Sequence, residues 1–162
     1  MMIDKYDTRE IVAFTGHRSI DHKKVESLKR ELITIVKTLY AKGVRIYLSG
    51  MAIGFDMLAA EVILSLKPKL PSLKLISVIP FRDQHNRWSI NDKKRYNDIL
   101  AQADDSIVLS EWYFNGCYLK RNDFMINHSC GLIAYYNGTN KGGTFYTIRK
   151  AKSKGKDILN IF

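Results

Sequence analysis

The apolar residues of this chain fall into two alternating kinds of run: short blocks rich in β-branched residues, and longer stretches with three- and four-residue spacing. Residues 11–15, I-V-A-F-T, form the first short block and predict a buried central strand. From about His22 to Ala41 the residues Val25, Leu28, Leu32, Ile35, Val36 and Leu39 share one face at helical spacing, and Gly43 ends that helix. Residues 44–48 predict the second strand, and 57–64 have the composition of a helix packed on a sheet, closed by Pro68 and Pro71. A strand is expected at 73–79, stopped by Pro80, then a helix from about Ile90 to Ala103 and a strand at 106–109. A helix from Leu119 to Ser129, a strand at 132–136, a helix ending near Lys154 and a last short strand at 158–161 complete the pattern. This alternation predicts an α/β, doubly wound, mostly parallel sheet of about six strands with helices on both faces. One domain is expected over residues 1–162, with 1–10 a loosely ordered N-terminal extension.

Composition changes that picture little. With 46% apolar and 26% charged residues in 162, the chain is long enough and apolar enough for a sizeable core. No apolar run approaches the ~20 residues of a membrane span, and the first residues lack a signal-peptide pattern, so a cytoplasmic protein without a membrane partner is expected. Cys117 and Cys130 have no partner spacing and fit reduced thiols. The net charge of +10 favours polyanions, either nucleic acid or phosphorylated small molecules. Its lysines and arginines are spread along predicted helices, where a solvated face accounts for them, so only weak nucleic-acid binding is expected.

In an open parallel sheet, ligands bind beyond the carboxyl ends of the strands. The chemically informative stretches sit there: 15–18, 49–56, 80–88, 110–118 and 137–144. Residues 49–61, S-G-M-A-I-G-F-D-M-L-A-A-E, join a strand to a helix through Gly50 and Gly54. That construction brings backbone N–H groups to the positive end of a helix dipole, an anion site, and 137–144 repeats it. Thr15, Ser49 and Thr144 offer hydroxyl donors, and Arg18 a charged fork. Asp56 has the wrong sign for phosphate and reads as a helix N-cap or an acceptor for ribose hydroxyls. Phe81, Trp88, Trp112, Tyr113 and Phe114 could stack on a base or simply pack. Neither G-x-G-x-x-G nor the Walker pattern occurs, which argues against a standard NAD dehydrogenase or a P-loop NTPase. His17, His85 and His128 are widely spaced, and no metal centre is expected.

Taken together, F-T-G-H-R at 14–18, the 49–61 stretch, V-I-P-F at 78–81, R-W-S at 87–89, R-Y-N-D-I-L-A-Q-A-D at 95–104, K-R-N at 120–122 and the turn Gly142-Gly143-Thr144 resemble the YpsA-like family. That family belongs to the SLOG superfamily, whose other branches include the DNA-processing protein DprA (Smf) and the LOG phosphoribohydrolases. The resemblance runs from about residue 11 to 162 and implies a Rossmann-like fold. It further implies a pocket for a nucleotide or nucleotide-derived ligand, such as an ADP-ribose-like molecule or a nucleoside phosphate, with no cofactor required. The ligand-binding residues so implied are Thr15, Gly16, His17, Arg18, Ser49, Gly50, Met51, Gly54, Asp56, Pro80, Phe81, Arg87, Trp88, Arg121, Asn122, Gly142, Gly143 and Thr144. LOG enzymes carry P-G-G-x-G-T-x-x-E, whose glutamate serves cleavage of an N-glycosidic bond. Here the matching stretch is 139–147, T-N-K-G-G-T-F-Y-T, and Thr147 occupies the glutamate place. Threonine cannot act as a carboxylate base, so the resemblance implies binding more than turnover. A LOG-like hydrolase would need another carboxylate, with Glu61 and Glu111 as the candidates. Single-stranded DNA binding of the DprA kind is a third and weaker expectation, and a homodimer stays open.

Overall fold

The computed structural model describes residues 2–162. Its strands are β1 (Ile11–Gly16), β2 (Ile46–Ser49), β3 (Lys74–Ile79), β4 (Asp105–Val108), β5 (Gly131–Tyr135) and β6 (Asp157–Asn160). The helices are α1 (Val25–Ala41), α2 (Phe55–Leu66), α3 (Ile90–Gln102), α4 (Cys117–Asn127) and α5 (Gly143–Ser153). All strand pairs are parallel, in the order β4-β3-β2-β1-β5-β6. The chain therefore steps outward from β1 to β4, returns across the sheet to β5, and continues the other way. This is the expected doubly wound α/β fold, and the strand order reverses between β1 and β5.

Alternation along the strands divides the interior into two layers, because successive side chains point to opposite faces. Val12, Phe14, Tyr47, Leu75 and Tyr135 pack with residues of α1, α2 and α3. Ala13, Leu48, Ile76, Val78 and Leu132 pack with Met125, Ile126 and Ala151 of α4 and α5. From the predicted stripe of α1, Leu28, Leu32 and Val36 are buried, while Val25, Ile35 and Leu39 lie at its partly exposed rim. Each fully buried aliphatic side chain of that stripe contributes about 1.5–3 kcal/mol of transfer free energy.

Two boundaries differ from the sequence pattern in ways that matter below. The helix expected from Leu119 begins at Cys117, directly after Gly116. Residues 2–10 are not the loose extension expected over 1–10, of which Met1 lies outside the described residues. In the described part, Met2–Lys5 and Thr8–Glu10 are 3-10 turns, and Ile3 is 1% exposed in the layer under α4 and α5. Burial of one isoleucine, with Asp7 accepting from the Arg9 N–H to cap the second turn, holds this segment down. Among the described residues no helix is long and apolar enough to cross a membrane.

Candidate functional site

Where the strand order reverses, the loops leaving β1 and β5 diverge and leave a cleft of about 760 Å³. Thr15, Gly16, His17 and Arg18 form one side, continuing from β1. Ala52 and Asp56, from the β2–α2 turn, line it too. Asn115 through Met125 supply residues from the start of α4, and Thr139 to Thr144 bring in the loop after β5 and the start of α5. His17 ties the two diverging loops together. Its backbone N–H donates to Tyr135 O at 3.1 Å, and its ring Nε2 accepts from the Asn137 N–H at 2.9 Å.

Three helices start at or beside this cleft, each directly after a glycine. Gly54, Gly116 and Gly142 precede α2, α4 and α5 with φ near 90°, and none of the three helices carries a side-chain cap. Helix α3, which starts away from the cleft, is instead capped by Ser89, whose Oγ accepts from the Asp92 N–H at 3.1 Å. At α5 the consequence is direct. The N–H groups of Gly143, Thr144 and Phe145 have no acceptor among the described residues, so the first turn presents three free donors. A side chain on Gly142 would meet nothing within 4 Å, and one on Gly143 only the Asn122 amide at 3.8 Å. The α5 start is open.

The start of α2 is closed. A Cβ on Gly54 would lie 2.4 Å from the Arg18 carbonyl oxygen, and the Phe55 N–H already donates to His17 O at 3.1 Å. A Cβ on Gly50 would fall 2.5 Å from the guanidinium of Arg121, which donates to Gly50 O and, through Nε, to Asn122 Oδ1 at 2.8 Å. The Ser49 hydroxyl donates to Asp56 O at 3.0 Å and accepts from the Met51 N–H, so it too is committed inside the turn. Met51 is fully buried with φ 59°, an uncommon conformation held by that turn.

Asp56 and Arg121 are the buried charges of the cleft, 6% and 4% exposed. Burial pushes the Asp56 carboxyl up to about 6, against the opposing pull of Arg121. Its Oδ2 is 3.4 Å from the Ala52 N–H, while Oδ1 has no hydrogen-bond partner. A buried carboxyl oxygen without a donor is costly, and Asp56 is among the residues that line the cleft. Arg18, Arg121 and Lys141 line the same space, so three cations face one carboxyl.

Of the residues implied by the sequence, Thr15, Gly16, His17, Arg18, Asp56, Arg121, Asn122, Gly142, Gly143 and Thr144 come together in the cleft. Ser49, Gly50 and Met51 lie beneath it and build its floor, and Gly54 packs behind Arg18. Pro80 is buried, and Phe81, Arg87 and Trp88 line a neighbouring hollow instead. Neither candidate carboxylate reaches the cleft. Glu61 is bound by Arg95, and exposed Glu111 by Arg82 at 2.6 Å, which holds its carboxyl below the usual range. Thr147 turns its hydroxyl onto Gly143 O at 2.8 Å, so it stabilises its own helix. The sequence reading did not single out Gly116, Tyr118 or Lys141. Gly116 was the available signal: it opens a helix after a loop, as the other two glycines do.

Comparison with known proteins agrees with this architecture. The YpsA family model, described as YspA SLOG family, matches residues 5–160. A UPF0398 protein of Bacillus cereus strain B4264 is 30% identical over 156 residues, covering 91% of this chain and 85% of its own. One from Bacillus pumilus is 30% identical over 153 residues, covering 89% and 82%. Among solved structures, DNA processing protein A from Streptococcus pneumoniae superposes with a TM-score of 0.64 at 20% identity, over 93% of this chain but only 49% of that one. The same protein from Helicobacter pylori, described for its single-stranded DNA binding mode, has a TM-score of 0.64 at 26% identity, over 97% and 66%. This chain thus spans half to two thirds of those larger proteins. With the family model covering nearly its whole length, the chain belongs to the YspA SLOG family.

Proposed function

We propose that this chain binds a nucleotide or nucleotide-derived ligand, an ADP-ribose-like molecule or a nucleoside phosphate, and senses or sequesters it. The observation that supports this reading is the open start of α5, whose first three N–H groups have no acceptor among the described residues and whose Gly143 and Thr144 line a cleft with three cations. Phosphate suits such a place, since the helix dipole and unpaired amides favour an anion there. Asp56 Oδ1 then takes a sugar hydroxyl at the other side of the ligand. Two unpaired thiols, Cys117 and Cys130, fit a reducing compartment.

Thermal denaturation with a panel of nucleotides, dinucleotides and sugar phosphates tests the reading. At a hundredfold excess over Kd a true ligand adds about 2.7 kcal/mol of stability, visible as a rise in Tm. No shift from any compound at millimolar concentration would remove the proposal. Within the cleft, hydrolysis of an N-glycosidic bond would rely on Asp56, the one carboxylate among the described residues that line it. Incubation with nucleoside monophosphates is expected to release no free base above background. For nucleic acid, the positive charge supports weak, sequence-independent binding that fades steeply with salt. Tight single-strand binding at physiological salt would favour a DprA-like role instead.

A further inference from the structure

Next to the cleft lies a second hollow of about 560 Å³, and Tyr113 and Tyr118 line both. Phe81, Trp88 and Trp112 supply its other aromatic walls, and Arg87 and the Glu111 carboxylate line it as well. Tyr113 and Tyr118 stand edge-on to Phe81, with ring centroids 5.5 and 6.0 Å away. The Tyr118 ring also has the guanidinium groups of Arg18 and Arg121 near it, at 5.7 and 5.9 Å. The shared wall therefore joins an aromatic space to a cationic one.

The loop that carries Trp112 is held firmly while its side chains are left in water. Ser110 Oγ accepts from the Trp112 N–H at 3.2 Å and donates to Trp112 O at 2.7 Å. The Arg82 N–H donates to Ser110 O at 3.0 Å, and Arg82 pairs with Glu111, so the loops after β3 and β4 are stapled together. Yet Trp112, Tyr113 and Phe114 are 78%, 63% and 37% exposed. Three consecutive exposed aromatics on a braced loop are not explained by packing; such patches mark binding surfaces. A preorganised loop also loses little entropy when a ligand docks.

We propose that this hollow is the second subsite of the cleft and takes the planar heteroaromatic base of a ligand whose phosphate sits at the start of α5. This inference rests on the nucleotide reading of the cleft and narrows it. The ligand carries its base, so bare sugar phosphates are not the natural occupants. Continuity through Tyr113 and Tyr118 argues for one ligand spanning both spaces. Stacking suits any base face, and exposed Asp83 and Asn86 at the hollow offer an acceptor and an amide for the base edge, while buried Gln84 is committed to Gly50 O and the Tyr96 hydroxyl.

Trp88 and Trp112 are the two tryptophans of the chain, and both line the hollow, so tryptophan emission reports its occupancy. The test titrates the full chain with ADP, GDP, CDP and UDP, and in parallel with ribose 5-phosphate and pyrophosphate, following emission and heat. At least one nucleotide should quench the emission and bind more tightly than the base-free compounds. Trp112→Ala should weaken that nucleotide about 5- to 150-fold while leaving ribose 5-phosphate and the melting temperature unchanged. Tyr113→Ala provides a second variant should the first melt early. Equal affinity for nucleotides and base-free compounds, or nucleotide affinity unmoved by both variants, would overturn the base subsite and leave the cleft reading intact. Binding of neither class would overturn both. A dimer in sedimentation that Trp112→Ala dissolves, with nucleotide affinity unchanged, would assign the hollow to contact between two copies and so overturn the proposal.

Discussion

The starts of α2 and α5 read alike as sequence, each a strand, a glycine loop and a helix, but the protein fills them in opposite ways. At α2 the space made by the glycines is occupied from within: the Arg18 and His17 carbonyls press against Gly54, and the Arg121 guanidinium lies on Gly50. At α5 a Cβ on Gly142 would meet nothing within 4 Å, and the first three N–H groups of the helix have no acceptor among the described residues. A missing Cβ thus serves close packing in one loop and leaves open space beside the other. The closed loop nevertheless contributes to the cleft, because its packing sets Asp56 and Arg121 in place. It acts as a floor, and the open loop is the seat only on the proposed reading.

The sharpest way to break this contrast is to add a side chain to each loop. Gly54→Val combines a φ of 90° with a 2.4 Å approach to the Arg18 carbonyl, and should cost more than about 3 kcal/mol in chemical denaturation. A Gly54→Val protein of normal stability would mean that the α2 turn is not closed.

Asp56→Asn should act in the other direction. A carboxyl raised to about 6 in the folded chain keeps its proton where the unfolded chain, near pH 4, has released it. Wild-type stability should therefore fall as pH rises from about 4 to about 6, and the asparagine should escape that loss. The substitution is expected to stabilise by up to about 3 kcal/mol at pH 7 and by nothing below pH 4, measured by urea unfolding across that range. Equal effects at both pH values would show that Asp56 is not the group responsible. The same substitution should weaken a ligand that donates to the carboxylate.

At α5 the expected cost appears in binding instead. Gly143→Val should change stability by no more than about 1 kcal/mol, because its Cβ meets only Asn122 at 3.8 Å. Calorimetric affinity for a nucleotide identified in the thermal panel should fall by more than that of Arg18→Ala. The arginine is exposed and supplies a single charge-assisted contact, whereas valine obstructs the approach to the helix N–H groups. Unchanged affinity with a normal melt would make this turn structural as well.

The smallest effect is expected at Glu111→Gln. Both partners of its ion pair with Arg82 are exposed, so the melting temperature should stay within error. A clear drop would reveal that the braced aromatic loop depends on this pair.

Much of the framework was legible in the chain. The blocks at 11–15, 44–48 and 73–79 and the stripe of Leu28, Leu32 and Val36 predicted strands and a helix whose centres agree with the structure, because burial imposes periods of two and about 3.6 on apolar positions. Glycine after a strand also marked the turns correctly. Its purpose was not legible, since a glycine's effect depends on what occupies the space beside it. For Gly50 that neighbour is Arg121, seventy-one positions along the chain, and for Gly54 it is the Arg18 backbone.

The order of elements along the chain was thus a matter of local periodicity, which each segment carries in its own residues. The order of strands across the sheet, the separation of Phe81 and Trp88 from the cleft, and the removal of Glu61 and Glu111 from it were not. Those depend on which strands pair and which loops become neighbours when β5 returns to lie beside β1. The same folding step buries Asp56 and raises its carboxyl, and no reading of D-M-L-A-A could contain that. Desolvation is a property of everything packed around a group, and that surrounding exists only in the folded chain.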